Sequence, residues 1–257
     1  MYFEVGTYRL AINMPRRADL MAEVAARFSR GEGFALATVN LDHLVKLRQS
    51  PEFRAAYAAQ DLVVADGNPL VWLSRLAGDP VELIPGADMV LPLAELAARQ
   101  GVPVALLGST DAALAGAADA LCQKVPGLKV AARIAPPMGF DPMGPGGAAV
   151  LQEVAASGAR LAFLALGAPK QEILAARGRE ITPQVGFASI GAGLDFLAGE
   201  QKRAPKLVRK LALEWLWRML SNPRRLASRY AQCAAILPGH TLNALRQRRQ
   251  PKLGTTP

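Results

Sequence analysis

Six short, almost entirely apolar runs are the feature that most constrains the fold of this 257-residue chain. Alanine-rich stretches with helical spacing separate several of them, for example 111–124 and 147–157. Strands that are covered on both faces are near-continuously apolar, and their alternation with helices is typical of a parallel sheet between helical layers. We therefore predict an α/β fold with a doubly wound, mostly parallel sheet. The predicted strands are Gly33–Asn40, Asp61–Asp66, Val102–Gly108, Leu128–Ala135, Leu161–Gly167 and Val185–Gly191.

The carboxyl ends of these predicted strands carry small and polar residues. In doubly wound sheets, ligands bind at the edge where the carboxyl ends of the strands meet. The sequence therefore predicts a ligand site at that edge. The strand ends are Thr38-Val39-Asn40, Asp66-Gly67-Asn68, Gly108-Ser109, Gly167-Ala168-Pro169 and Gly191-Ala192-Gly193.

Positive charge is concentrated at the C-terminal end. Residues 200–257 hold 13 Lys and Arg against two acidic residues, whereas the other 199 residues carry 17 basic and 19 acidic ones. An end of this kind is suited to an anionic membrane surface, a phosphorylated ligand or nucleic acid. Lys206–Leu220 combines apolar residues and two Trp with Lys and Arg. This composition fits a helix that lies in a membrane interface and a helix that docks on the body equally well.

These features divide the chain into three predicted parts. The α/β body spans 1–199, and a basic helical appendage over 200–230 covers the site and contacts a membrane. A basic tail over 231–257 follows, with its end after Arg246 predicted to be disordered.

Several function classes lack support in the sequence. No apolar stretch reaches the roughly 20 residues of a membrane span, and the N-terminus lacks a secretory signal pattern, so we expect a cytoplasmic protein. Cys122 and Cys233 stand far apart and indicate neither a disulfide framework nor a zinc site. There is no GxxxxGK[ST] or HExxH pattern and no DxD pair, and Gly191–Phe196 keeps only the first two glycines of GxGxxG. We therefore predict no metal and no cofactor.

Eight motifs occur in a fixed order over roughly residues 10–230, and together they resemble the WecG/TagA/CpsF family of bacterial glycosyltransferases, glycosyltransferase family 26. The resemblance implies a Rossmann-like fold. The motifs are Thr38–Asn40, Leu62–Gly67, Ile84–Asp88, Leu166–Glu172, Gly191–Gly199, Arg203–Pro205, Leu213–Arg218 and Asn222–Arg225.

The resemblance also implies an activity: an inverting, metal-independent hexosyltransferase that depends on a UDP-sugar. The sugar would be N-acetylmannosamine, its uronic acid or a hexose, and the acceptor a polyprenyl-diphosphate-linked saccharide. The implied location is the inner face of the cytoplasmic membrane, where the protein would be peripherally bound to the anionic surface. The chain shows no recognisable helix-turn-helix, RNP or zinc-finger pattern, so we expect no nucleic-acid partner. The sequence leaves open whether the protein is a homo-oligomer.

Asp66 is the predicted general base, because inversion by direct displacement needs one group that takes the proton from the acceptor hydroxyl. The alternative is that Asp66 caps the following helix. The turn residues Thr38 and Asn40 have a similar local alternative, and no role is assigned to His43. The predicted donor- or acceptor-binding residues are Thr38, Asn40, Gly67, Asn68, Pro85, Gly86, Asp88, Gly108, Gly167, Lys170, Gln171, Glu172, Gly191 and Asp195.

Arginines of the appendage are predicted to stabilise the UDP diphosphate through their permanent charge and planar donor geometry. They are Arg203, Arg218, Arg225 and Arg229, and Pro223 is expected to end the preceding helix so that the chain turns back. Two other classes stay open: a non-catalytic membrane- or nucleic-acid-binding protein, and a nucleotide-sugar enzyme such as a dehydrogenase.

Overall fold

The computed structural model describes residues 1–201, 204–205, 208, 216–217, 219 and 223–249. Two short strands at the N-terminus, β1 (Tyr2–Val5) and β2 (Tyr8–Ala11), form an antiparallel hairpin. The sequence analysis did not predict this hairpin. The other strands are β3 (Phe34–Val39), β4 (Leu62–Ala65), β5 (Val104–Gly108), β6 (Val130–Ile134), β7 (Leu161–Ala165) and β8 (Gly186–Ser189).

These six strands form one parallel sheet in the order β4-β3-β8-β7-β5-β6. All six predicted strands are present, so the predicted Rossmann-like α/β fold is confirmed. The helices in the described residues are α1 (Arg17–Arg30), α2 (Leu41–Gln49), α3 (Pro51–Ala58), α4 (Asn68–Leu76), α5 (Gly86–Arg99), α6 (Asp111–Lys124), α7 (Pro145–Ala156), α8 (Lys170–Ile181), α9 (Gly193–Ala198) and α10 (Pro223–Arg249).

Both faces of the sheet are buried, which explains the unbroken apolar runs. On one face, side chains of β3, β4, β5 and β7 pack against α1, α5, α6 and α9, with Phe34, Leu106 and Phe163 at the centre. On the other face, α7 and α8 cover β5 and β7. The same face of β3 and β4 contacts α2, α3, α4 and α10. The core therefore extends along the full width of the sheet.

The order of the strands determines where a ligand can enter. The chain runs from β3 outward to the edge strand β4, and then crosses to β5 on the other side of β8 and β7. Loops that leave neighbouring strands in opposite directions open a crevice at the carboxyl edge of the sheet. This switch in direction places the opening beside the ends of β3, β8 and β7.

Helix α10 packs on α2, α4 and β1. Its buried stripe comprises Cys233, Ile236, His240 and Ala244, which recur with helical spacing. The helix begins at Pro223, and this proline therefore stands at the start of a helix. The helix continues through Arg249, three residues past Arg246, after which the sequence predicted disorder. Among the described residues, no helix has the length and apolar character needed to cross a membrane.

Candidate active site

A cleft of about 800 Å³ lies at the carboxyl edge of the sheet, with α10 along one side. It brings together residues from the ends of β3, β4, β7 and β8, which lie far apart in the sequence. A volume of this size is typical of a small-molecule site. The predicted site residues that line the cleft are Thr38, Asn40, Asp66, Gly67, Asn68, Pro85, Gly167, Gln171, Gly191, Asp195 and Arg229.

Asp66 stands directly after β4, on the wall that β3 and β4 provide. Its backbone N–H donates to the carbonyl of Val39 at 2.7 Å, which extends the parallel pairing by one residue. The Thr38 hydroxyl donates to Asp66 Oδ2 at 3.4 Å. The following helix has Gly67 at its N-cap position, so Asp66 does not occupy the capping position that was considered as its alternative role. Gly67 has a φ of 154°, which strongly favours glycine.

Asn40 caps helix α2. Its Oδ1 accepts the backbone N–H of His43 at 3.1 Å, which is the usual N-cap arrangement. The local alternative considered for Asn40 is therefore present, and the same side chain also lines the cleft. Because the cap uses only the amide oxygen, it does not consume the N–H groups of the side chain.

His43, to which the sequence analysis gave no role, is buried in a polar and aromatic cluster at the wall of the cleft. Its Nδ1 lies 2.7 Å from the Tyr57 hydroxyl, which donates to the Thr38 carbonyl at 3.0 Å. Since Tyr57 uses its proton toward Thr38, its oxygen accepts, and Nδ1 carries the proton. Burial lowers the pKa of His43 to about 3, so the imidazole stays neutral near neutral pH. This chain of bonds anchors the end of β3 on which Thr38 lies.

Three charged residues form a cluster inside the cleft: Arg229, which the sequence analysis predicted, and Asp42 and Lys46, which it missed. Arg229 Nε of α10 lies 2.8 Å from Asp42 Oδ1, and Lys46 Nζ lies 2.9 Å from Asp42 Oδ2. Neither Asp42 Oδ2 nor Arg229 Nε makes an aligned hydrogen bond within the described part of the chain, so the attraction is mainly coulombic. Lys46 also donates to the carbonyl of Ala168 at 3.1 Å, in the turn after β7. The i,i+4 spacing of Asp42 and Lys46 after a strand end was the available sequence signal.

Asp195 is held by its neighbours at the other end of the cleft. The Ser109 hydroxyl donates to Oδ1 at 2.5 Å, and Gln201 Nε2 donates to Oδ2 at 2.7 Å. Ser109 has a φ of 55°, which is uncommon for a residue other than glycine. Asp195 therefore fixes the turn after β5, and its remaining lone pairs can accept from a ligand.

Five predicted site residues lie outside the lining of the cleft. Gly86 and Gly108 allow close packing, since a Cβ atom would lie 3.0 Å from the Ile190 Cα and 2.6 Å from the Ala165 carbonyl carbon, respectively. Lys170 Nζ donates to the Phe140 carbonyl at 2.6 Å, which anchors the proline- and glycine-rich loop before α7. The other two are Asp88, in the first turn of α5, and Glu172, which is fully buried.

The structure describes the side chain of one of the four predicted arginines. Arg229 lines the cleft, whereas Arg203 and Arg218 lie outside the described residues. Arg225 belongs to α10, but its side chain is not among the parts described.

One flank of the cleft is apolar. Trp72 of α4 lines it with 53% of its surface exposed, and Leu83, Cys233 and Leu237 lie along the same cavity. The cleft thus offers carboxylate and amide groups, two cations and an exposed indole.

A model of the Glycosyl transferase WecG/TagA/CpsF family matches residues 5–253. The chain belongs to this family. It is therefore a glycosyltransferase of cell-surface polysaccharide synthesis. The match extends over α10, so the helix along the cleft is part of the family's common chain and not an addition to it. Glycosyl transfer needs a proton acceptor near the acceptor hydroxyl and positive charge near the leaving group.

Proposed function

We propose that this protein transfers a sugar, with inversion and without a metal ion, from a UDP donor to a polyprenyl-diphosphate-linked saccharide. The sugar is N-acetylmannosamine, its uronic acid or a hexose. The observation that carries this proposal is the placement of one carboxylate, Asp66, in the same cleft as the cations Lys46 and Arg229. Base and cations are the two requirements of a direct displacement.

In the proposed reaction, Asp66 accepts the proton of the acceptor hydroxyl while that oxygen attacks C1 of the donor sugar. The new C1–O bond forms on the face opposite the diphosphate, and the bond from C1 to the diphosphate oxygen breaks. UDP leaves with the electron pair of that bond. The hydroxyl of Thr38, 3.4 Å from Asp66 Oδ2, helps to orient the carboxylate.

Lys46 and Arg229 are proposed to neutralise the leaving diphosphate. Both cations contact Asp42. A diphosphate carries more charge than one carboxylate, and guanidinium and ammonium groups bind phosphate oxygens well. It can therefore draw both cations away from Asp42. Arg203, Arg218 and Arg225 remain proposed contributors from the appendage.

We also propose that α10 carries the protein to the anionic membrane surface where a polyprenyl acceptor resides. Leu242 and Leu245 are 58% and 39% exposed on this helix, beside the exposed Arg246 and Arg249. Exposed leucines next to arginines are typical of helices that bind in a membrane interface. This arrangement supports peripheral association at the inner face of the membrane.

The variant Leu242→Ser/Leu245→Ser tests the membrane proposal. We expect partitioning onto vesicles with anionic lipid to weaken by at least about tenfold, because two exposed leucine side chains that would insert into the lipid are lost. Sedimentation with the vesicles measures the effect. Met138→Ser, which changes an exposed residue outside α10, is the matched control and should bind like the wild type. Unchanged sedimentation of the double variant would contradict the proposal.

Binding of UDP tests whether the cleft is a nucleotide-sugar site. We expect calorimetry in the presence of EDTA to detect binding of UDP and of at least one UDP-sugar from a panel. Arg229→Gln should weaken it about tenfold, because one charge-assisted contact to the diphosphate is lost. If no uridine nucleotide binds, the proposal is wrong, and a non-catalytic membrane-binding role for the basic C-terminal end becomes the better account.

A further inference from the structure

The side-chain amide of Gln171 is held from both sides. The Gly191 N–H donates to Gln171 Oε1 at 3.2 Å, and Gln171 Nε2 donates to Glu172 Oε1 at 2.8 Å. Gln171 lines the cleft although only 3% of its surface is exposed. A flipped amide would set its oxygen against the carboxylate and its NH₂ group against the Gly191 N–H. The two neighbours therefore select one orientation.

Glu172 lowers the stability of the folded protein in this position. Its side chain is fully buried, and Oε2 makes no hydrogen bond within the described residues. A buried carboxylate that is only half satisfied costs stability, and an apolar residue of similar size would pack at lower cost. Its hydrogen bond with Gln171 indicates a role other than stabilising the fold.

We propose that Glu172 is a positioning residue for the donor substrate: it fixes the amide of Gln171 so that the second Nε2 hydrogen is available to an oxygen atom of the bound nucleotide-sugar. The inference rests on the proposed function of the cleft. It also changes the role that the sequence suggested for Glu172, because this side chain does not line the cleft and acts through its neighbour.

The protonation state of Glu172 determines how strongly it selects the orientation. A carboxylate only accepts hydrogen bonds and requires the NH₂ group of Gln171 to face it, whereas a neutral carboxyl group can also donate and tolerates either orientation. Burial raises the pKa of Glu172 to about 7, against the opposing effects of the Gln171 bond, its own backbone and Lys46. Positioning should therefore improve as pH rises through about 7.

The other groups near the carboxylate belong to α2 and α3. Lys46 approaches from α2 and favours the ionised form. Tyr57 of α3, whose pKa burial raises well above 10, and its partner His43, whose pKa is about 3, both stay neutral. Gln60 of α3 does not titrate and donates to the Glu172 backbone carbonyl at 3.0 Å.

The same ionisation affects stability in the opposite direction. The folded-state pKa of about 7 lies above the ordinary value of 4.5, so the folded protein binds the proton more tightly than the unfolded chain. The contribution of Glu172 to stability is therefore greatest below the ordinary pKa and is lost as pH rises through about 7. Glu172→Gln, which cannot ionise, should show a higher Tm than the wild type at alkaline pH.

Nuclear magnetic resonance of the Gln171 side-chain amide tests the inference without requiring activity. The resonance pair is assigned by its disappearance in Gln171→Leu and followed between about pH 5.5 and about pH 8.5. We expect it to shift with a midpoint near 7 in the wild type and to be invariant in Glu172→Gln. An invariant amide in the wild type, or the same titration in the variant, would overturn the proposal.

Transfer kinetics give the functional readout. Because a glutamine can both donate and accept, Glu172→Gln should keep kcat/KM for the donor at the low-pH level of the wild type at every pH, about tenfold below the wild type in alkaline buffer. Gln60→Met is the control: it removes the bond to the Glu172 carbonyl, so Tm falls while the pH profile keeps its midpoint. A Glu172→Gln profile equal to that of the wild type would refute positioning. A wild type without transfer would refute the proposed function and leave the amide titration valid.

Discussion

Asp66→Asn is expected to fold normally and bind UDP like the wild type, but to transfer sugar about 10² to 10⁴ times more slowly. The substitution keeps the shape of the side chain at the end of β4 and lets the Thr38 hydroxyl keep an oxygen partner. It removes the group that can accept the proton of the acceptor hydroxyl. Acceptor-dependent release of UDP measures the rate, and calorimetry measures binding.

Asp119→Asn, on the exposed surface of α6, is the matched control, and we expect its rate to lie within about twofold of the wild type. The assignment of Asp66 as general base is wrong if Asp66→Asn retains near-normal turnover. A variant that loses both UDP binding and thermal stability would instead indicate that Asp66 has a structural role.

Removal of residues 200–257 should abolish transfer, with a loss of at least about 100-fold, because Arg229 is removed from the cleft together with the other arginines proposed to bind the diphosphate. The body should still unfold cooperatively, since the eight strands of the described residues lie before residue 190. Its Tm should fall, because Cys233, Ile236 and Ala244 of α10 cover apolar surface of the body. Activity assays and calorimetric unfolding measure these effects.

Arg229→Gln in the full chain separates the loss of charge from the loss of the helix. It leaves the buried stripe of α10 intact, so Tm should change little while turnover falls by about tenfold or more. A truncated body with full activity would refute the role of the C-terminal end. Full activity of Arg229→Gln together with an inactive truncation would transfer that role to arginines outside the described residues.

The central sheet could be predicted because its physical signal is local. A strand that is buried on both faces must be apolar at nearly every position, and the six runs satisfy this condition. Their predicted ends differ from the structure by at most two residues, since residues such as Gly33 and Asn40 flank β3 without belonging to its ladder. The hairpin of β1 and β2 escaped prediction because its strands are not continuously apolar, since the exposed residues Glu4 and Arg9 interrupt them.

The sequence of α10 contains a helical pattern of buried residues that its many arginines made easy to overlook. Its arginines suggested a flexible basic tail, whereas Cys233, Ile236, His240 and Ala244 follow helical spacing and are all buried. The periodicity of these residues indicates a docked helix more reliably than net charge does. The division of the chain at residues 230 and 231 falls inside this helix.

For the candidate site, the strand ends could be predicted and the long-range contacts could not. Thr38, Asp66, Gln171 and Gly191 meet because parallel strands end at one edge. The contact of Arg229 with Asp42, 187 positions apart in the numbering, depends on how α10 docks. The sequence analysis predicted Arg229 over the site but gave no role to Asp42. The burial of Glu172 likewise follows from the packing of α8 on α3 and β3, and no residue pattern around Gln171 indicates it.

The most direct test of the central claim is acceptor-dependent release of UDP by the purified protein. The assay uses a panel of UDP-sugars, a short-chain polyprenyl-diphosphate saccharide and EDTA. Our account predicts release from one donor, dependence on the acceptor, indifference to EDTA, and a product whose new linkage has the anomeric configuration opposite to that of the donor. Transfer that requires a divalent cation, or a product that retains the donor configuration, would contradict it.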